Sequence, residues 1–404
     1  MTSMSTSFNA LVNPPLLVWA REESGYPPEL VADRLKVKPE RLLAWERGDL
    51  KPTVRQVQLL AKFYHRPFGV FFLPQPPLLP PIAGEYRRLP GVEPGAESPE
   101  LRLALRIMSQ RRQIALQLLE ELGNPIAEFE TSAHLLEGPN EVGNRLRSLL
   151  GVTNEEQLGW TDEWEGWRCW REAVEAAGIL VFQFPKVPLN QVRGLSLLKF
   201  PLPVIGINTK ESAPGARVFT LLHELTHIAL SVGQEEEPAL GETRDDAAWS
   251  KVERWAEEAA SAALIPANVL AGFLGRMSVA RGAWDVPLVR SLAVKFRVTP
   301  LAMATRLRVE GALTWEGYDL WKAGWAEYLK TLKPRSGGFA SPVDKALGRG
   351  GRPLAQLVVE ALDANRITAV EACRHLDLRF EHFDKLRAEL RDRARSTHTI
   401  DDGE

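Results

Sequence analysis

The chain has 404 residues, of which 25% are charged, and a formal net charge of −2 at pH 7. This length is enough for two or three domains with substantial cores, and the near balance of charge does not by itself indicate a nucleic-acid-binding protein. Two distant cysteines, Cys169 and Cys373, exclude a disulfide framework and a cysteine metal site, so a cytoplasmic protein is expected. The N-terminus has no signal-peptide pattern and no apolar run reaches membrane-spanning length, so no membrane partner is expected.

Four short helices are predicted in the first 77 residues: Leu16–Ser24, Pro28–Leu35, Glu40–Arg47 and Thr53–Tyr64. Glycines follow the first and third helices, and the turn Val37-Lys38-Pro39 joins the second to the third. Two helices joined by a three-residue turn are typical of the helix-turn-helix motif.

The segment VKPERLLAWERGDLKPT resembles the lambda-repressor-like (XRE) helix-turn-helix family, including the Trp-Glu-x-Gly-x-x-x-Pro pattern that begins at Trp45 and ends at Pro52. The resemblance implies a helix-turn-helix domain in residues 1–77, with DNA as the expected partner. Glu46 is expected to pair with Arg21, which would be a structural contact and not a DNA contact.

Aligned on that family, the groove-facing positions of the third helix are Pro39, Glu40, Leu43 and Ala44. Bases are normally read by Arg, Lys, Asn or Gln, and none of these occupies the four positions. Ten Lys and Arg against seven Asp and Glu give residues 1–77 a net charge of +3, which attracts phosphates only weakly. Two interpretations remain open. The domain binds DNA sequence-specifically, or it has the helix-turn-helix fold but recognises a protein.

A proline-rich linker and three helices are predicted next. Eight prolines fall between residues 74 and 99, so residues 78–99 are expected to be extended. Helices are predicted over Glu100–Glu121, Ser132–Leu150 and Asn154–Ala177. The last helix carries tryptophans at helical spacing, which predicts a buried aromatic stripe of Trp160, Trp164 and Trp167.

Three short β-branched or aromatic runs bounded by Gly and Pro then predict a small sheet: Ile179–Phe184, Gly194–Lys199 and Pro203–Asn208.

The stretch LLHELTH contains a His-Glu-x-x-His motif in an apolar run of helical composition. His223 and His227 are one turn apart on one helix face, so both imidazoles can bind a single ion. Glu224 projects beside them and can act on a water molecule without being a ligand. Burying these polar groups costs free energy unless something pairs with them, and a divalent metal removes that cost. The alternative interpretation is a pair of ordinary core histidines.

A second predicted helix supplies a candidate third ligand. The segment Ser250–Pro266 places Glu253, Ala256, Ala260 and Ala263 on one face. A carboxylate followed by alanines allows this helix to approach the first one closely and offer one oxygen to its metal. Should Glu253 not bind, the alternatives are Glu242, Asp245 and Glu257.

RVFTLLHELTHIAL and VERWAEEAASAALIP resemble the paired active-site helices of the ImmA/IrrE family of metallopeptidases. That family takes its third zinc ligand from a Glu-x-x-Ala motif, which matches Glu253 to Ala256. The resemblance therefore implies that His223, His227 and Glu253 bind Zn²⁺, or alternatively Mn²⁺, and that Glu224 is the general base of peptide hydrolysis.

Members of this family cleave helix-turn-helix repressors in stress responses, so the resemblance implies a repressor protein as the substrate. The family usually has Asn or Asp after the motif alanine and an aromatic residue two positions later, where this chain has Glu257 and Ala259. In zinc peptidases generally, substrate pairs with an edge strand beside the active-site helix. Val204–Asn208 is expected to be that strand, and the alternative is that the sheet is only a scaffold.

The rest of the chain is predicted to be helical, apart from a glycine-rich segment, Gly337–Gly351, that lacks the pattern of a phosphate loop. The predicted helices are Val289–Phe296, Leu301–Glu310, Trp315–Leu332, Leu354–Ala364, Thr368–Leu376 and Phe380–Arg391, followed by a disordered tail, Arg395–Glu404.

The predicted fold class is mainly α with a small β-sheet. Residues 1–77 are expected to form a helix-turn-helix domain, 78–99 a linker, 100–310 a zincin-like α+β peptidase domain and 311–404 a helical module with a disordered tail. The predicted function is metal-dependent peptide hydrolysis. The alternative is a DNA- or protein-binding regulator in which the metal is structural or sensory.

Overall fold

The structure, a computed structural model, describes residues 8–77, 97–232, 246–277, 284–331 and 340–398. These residues form two compact units, the first made of 8–77 with 97–107 and the second beginning at residue 108. The predicted fold class is confirmed, since the chain is mostly helical with one three-stranded sheet in the described residues. Of the predicted linker, residues 78–96 lie outside the described part.

The first unit contains the four predicted helices, each within two residues of its predicted bounds. They are α1 (Pro14–Ser24), α2 (Pro28–Leu35), α3 (Pro39–Arg47) and α4 (Val54–Phe63). Lys36 ends α2 in the left-handed conformation, with φ of 56°, and this turns the chain into α3. Thr53 caps α4, because its hydroxyl accepts from the Gln56 N–H while Gln56 Oε1 accepts from the Thr53 N–H.

The predicted pairing of Arg21 with Glu46 is confirmed. Arg21 Nε donates to Glu46 Oε1 at 2.8 Å, and Nη2 donates to Oε2 at 3.0 Å. Both side chains are largely buried. The pair therefore joins α1 to α3 by a bidentate ion pair. Because both oxygens of Glu46 accept from Arg21, Glu46 is not available to contact bases.

One of the predicted groove-facing positions is wrong. Ala44 is buried, together with Leu42, Trp45 and Glu46, because α3 packs a wide face inward. Glu40 is exposed as predicted, and Arg41 next to it is also exposed. The outer face of α3 thus carries a donor that the family alignment did not include.

The second unit begins with the later part of α5 (Pro99–Leu122), followed by α6 (Pro139–Leu149), α7 (Asn154–Gly159) and α8 (Glu163–Ala176). The predicted helix over residues 132–150 starts seven residues late, because Pro139 occupies its first turn. The single helix predicted over residues 154–177 is broken, because Asp162 caps α8 by accepting from the Glu165 N–H.

This break makes the predicted tryptophan stripe wrong in part. Trp160 lies between the two helices and is buried, as is Trp167 in α8. Trp164 is 44% exposed, and the Arg217 guanidinium lies 5.2 Å from its ring centroid. Helical spacing therefore does not put the three rings on one face.

The sheet consists of β1 (Leu180–Phe184), β2 (Gly194–Leu197) and β3 (Val204–Asn208) in the order β1-β3-β2. β1 runs parallel to β3, whereas β2 is antiparallel to it. The predicted edge position of β3 is therefore wrong, because it is the central strand. The edge strand that packs on the helix carrying the His-Glu-x-x-His motif is β2.

Helices make up most of the remaining described chain: α9 (Pro214–Ser231), α10 (Asp246–Leu264), α11 (Ala267–Gly275), α12 (Val286–Lys295), α13 (Pro300–Val309), α14 (Trp315–Thr331), α15 (Pro342–Asp363), α16 (Ala369–Leu376) and α17 (Phe383–His398). Among the described residues no single helix is long and apolar enough to cross a membrane. One bent pair, Ser250–Leu264 with Ala267–Gly275, meets that test by length and composition.

Two C-terminal predictions are corrected by these bounds. The glycine-rich segment is helical from Pro342, because Ser341 caps the start of α15 and the apolar residues of this helix are buried. Residues 337–339 lie outside the described part. The predicted tail is helical as far as His398, and residues 399–404 are not described. α15 bends at Gly351, which has a φ of 77°, a left-handed value that glycine adopts readily. Pro353 follows two residues later and also disfavours a straight helix.

A buried ion pair holds this bend against the sheet. Arg171 Nε donates to Glu175 Oε1 at 2.9 Å, and Arg171 Nη2 donates to the carbonyls of Val181, Leu347 and Gly348. Burial raises the pKa of Glu175, and the neighbouring Arg171 opposes that shift. One side chain of α8 thus ties β1 to α15.

Replacing Arg171 with Met is expected to lower the free energy of unfolding by about 3–5 kcal/mol, because Glu175 would remain buried without its counter-charge. Urea unfolding followed by circular dichroism measures the change. Lys330→Met is the matched control, since it breaks an exposed pair with Glu327 and should change stability by less than about 1 kcal/mol. A similar small effect for Arg171→Met would contradict the assigned role of this pair.

Candidate metal centre

The motif helix α9 is buried along most of its length, as its apolar composition predicts. Pro214 occupies its first turn. Arg217 fixes the entry of the chain, with Nε donating to the Glu211 carbonyl at 2.6 Å and Nη2 to the Thr209 carbonyl at 3.2 Å. The loop that leaves β3 is thereby tied to the first turn of α9, so the helix has a defined position against the sheet.

The second site helix, α10, packs against α9. Ala256, Ala260 and Ala263 are fully buried, in agreement with the predicted alanine face. Trp255 anchors the same turn, since its indole N–H donates to the Glu137 carbonyl at 2.9 Å. Glu253 lies on α10, and its carboxylate reaches the histidines of α9. This is the close approach of the two helices that the sequence predicted from the alanines.

The structure brings the three predicted ligand side chains together. His223 Nε2 lies 3.0 Å from His227 Nε2 and 3.3 Å from Glu253 Oε2, and His227 Nε2 lies 3.9 Å from Glu253 Oε1. One ligating atom from each residue falls within 4.8 Å of the others. Ligands about 2.0–2.1 Å from a tetrahedral zinc ion lie about 3.3 Å apart, so this donor set fits such an ion.

Glu224 follows His223 directly in α9 and is not one of the three residues of the ligand cluster. Its side chain is 6% exposed, and Oε2 accepts a hydrogen bond of 3.0 Å from Ser196 Oγ. A carboxylate at this place can accept a proton from a water molecule without occupying a ligand position.

The edge strand β2 approaches the same turn of α9 closely. A Cβ atom at Gly194 would lie 2.3 Å from Thr220 Cγ2 and 3.3 Å from Glu224 Cγ, so any larger residue would require the Thr220 side chain to shift. Ser196 lies two residues further along β2, on the same face.

The sequence predicted a strand over Gly194–Lys199 but did not connect Ser196 with Glu224. The available signal was the two-residue period of a strand, which puts residues 194 and 196 on one face. The pairing of that face with α9 depends on strand order, which no local pattern contains.

The remaining candidates lie elsewhere. Glu257 is exposed and outside the cluster of ligand atoms, and Glu242 and Asp245 lie outside the described residues.

Residues 174–308 match the family model described as the IrrE N-terminal-like domain, peptidase family M78. The second unit contains an IrrE N-terminal-like domain. The match begins at the end of α8 and ends in α13, so it includes the whole sheet, both site helices, the three candidate ligands, Glu224 and Ser196. We call residues 174–308 the IrrE-like domain, and it is a metallopeptidase-like domain.

Residues 17–71 match the family model described as helix-turn-helix, which covers α1 to α4. The two matches confirm the family resemblances that the sequence motifs indicated, for the IrrE-like domain and for the N-terminal unit. Neither the curated proteins nor the solved structures contain a match to the chain.

Proposed function

We propose that the IrrE-like domain is a zinc-dependent endopeptidase that hydrolyses a peptide bond in a protein substrate. The observation that carries this proposal is the convergence of His223, His227 and Glu253 from two packed helices, with the buried carboxylate of Glu224 beside them. Three protein ligands leave one position of a tetrahedral ion for water or substrate, as in catalytic zinc sites. Two nitrogens and one oxygen are also a donor set that Mn²⁺ accepts.

In this proposal His223, His227 and Glu253 hold the ion, which when bound polarises a carbonyl group and makes water more acidic. Glu224 takes one proton from the attacking water and delivers it to the amine nitrogen that leaves when the peptide C–N bond breaks. The buried position of Glu224 keeps bulk water away from its carboxylate.

The substrate we propose is a helix-turn-helix transcriptional repressor, which the ImmA/IrrE resemblance supports. The test is incubation of the full-length protein with repressors encoded near its gene, with and without a chelator, followed by mass spectrometry of the fragments. Metal-dependent cleavage at one position supports the proposal. Fragments that form equally with the chelator would contradict it.

DNA binding is the second candidate function, and the helix-turn-helix match favours it. The exposed residues at the start of α3 and the turn before it include Lys36, Lys38 and Arg41, together with the unfavourable Glu40. With a net charge of +3 for residues 1–77, we propose that this unit contacts phosphates and reads few bases.

We therefore expect the full-length protein to bind duplex DNA weakly and without sequence preference at physiological salt. A binding selection against random duplexes measures this, and Arg41→Ala tests an exposed donor near the start of α3 that the family alignment omitted. A bidentate base contact is worth about 1–3 kcal/mol of discrimination, so a few such contacts would produce a recognisable motif. Recovery of one sharp motif at physiological salt would contradict the prediction.

A further inference from the structure

A buried hydrogen bond connects the edge strand of the sheet to the carboxylate beside the metal centre. Ser196 Oγ donates to Glu224 Oε2 at 3.0 Å, and the serine is fully buried. The strand reaches the helix this closely because Gly194, on the same face, has no side chain to meet Thr220. The contact therefore joins two elements that the fold holds firmly.

We propose that Ser196 is a positioning residue for Glu224, an inference that rests on the proposed peptidase function. A carboxylate can rotate about its Cγ–Cδ bond, and a hydrogen bond to one oxygen restricts that rotation. The other oxygen is then held in one direction for proton transfer. Ser196 keeps its own proton throughout, since Glu224 alone receives a proton from water and passes it to the leaving amine.

Kinetic measurements on the full-length protein test this role. Ser196→Ala is expected to lower kcat about 10- to 100-fold, the size of effect that follows from a misplaced reacting group, with KM and metal content unchanged. Ser196→Thr keeps the hydroxyl and is expected to restore most of the lost kcat. An unchanged kcat in Ser196→Ala, or a loss of metal equal to the loss of activity, would overturn the proposal.

Ser261→Ala is the matched control. Ser261 is a buried serine on α10 whose hydroxyl donates to the Glu258 carbonyl at 2.8 Å, so it resembles Ser196 in burial but has no contact with Glu224 in the described structure. Its kcat is expected to equal that of the parent protein. A loss as large as that of Ser196→Ala would show that any buried serine near the centre has this effect, and would overturn the specific role.

A second readout does not depend on activity. Urea unfolding of the full-length protein, with metal content matched between variants, is measured for Ser196→Ala, Glu224→Ala and the double variant. Coupled residues are not additive, so Ser196→Ala should lower the unfolding midpoint less when Glu224 is already absent. Equal shifts in both backgrounds would overturn the coupling. Absence of hydrolysis by the unaltered protein would instead contradict the proposed function, so the two failures are distinguishable.

Discussion

Glu224→Gln is expected to lower peptide hydrolysis at least about 10²- to 10⁴-fold while metal content stays at the level of the unaltered protein. Glutamine has the same shape as glutamate, and its carbonyl oxygen can still accept the hydrogen bond from Ser196. It cannot accept the proton of the attacking water, so only the chemical step is removed. Cleavage of a repressor or of unfolded casein, together with elemental analysis, measures both quantities.

Glu257→Gln is the control for this experiment. Glu257 is an exposed carboxylate on α10, one turn beyond Glu253 and outside the cluster of ligand atoms. Activity equal to that of the unaltered protein is expected. Retained hydrolysis in Glu224→Gln, or loss of hydrolysis in Glu257→Gln, would show that the general base has been assigned to the wrong residue.

Replacing any of His223, His227 or Glu253 with Ala is expected to remove most of the bound metal and all measurable hydrolysis. Loss of an outer partner of a ligand typically costs 10–100-fold in metal affinity, and loss of a ligand itself should exceed that. Competition with a chelator, read by elemental analysis, measures the affinity.

His134→Ala is the matched control for the histidine variants, since His134 is exposed and lies outside the cluster. Full metal content is expected there. Full metal content in Glu253→Ala would contradict the third-ligand assignment and move it to Glu242, Asp245 or Glu257.

The parts of the fold that sequence reasoning predicted well are those set by neighbours in the chain. His223 and His227 share a face because a helix repeats every 3.6 residues, and the alanines of α10 follow the same rule. Thr53 caps the start of α4, and the glycines at positions 25 and 48 follow the ends of α1 and α3. These features depend on residues a few positions apart, so the sequence contains them directly.

The error in strand order concerns contacts between distant residues, whereas the error in the tryptophan stripe is local. The sequence predicted three strands, but their order depends on which strand packs beside α9, and β3 proved to be central. The Ser196–Glu224 contact spans 28 residues and follows from that order. The predicted tryptophan stripe was wrong because Asp162 caps the start of a new helix. The helical spacing of the tryptophans continues across this break in the sequence, so the spacing alone did not reveal it.

Anomalous X-ray scattering from a crystal of the full-length protein, measured on both sides of the zinc absorption edge, tests the central claim most directly. One zinc peak is expected among His223 Nε2, His227 Nε2 and a Glu253 carboxylate oxygen, with the fourth position taken by water. A peak elsewhere, or a fourth protein side chain bound to the ion, would contradict a catalytic metal centre.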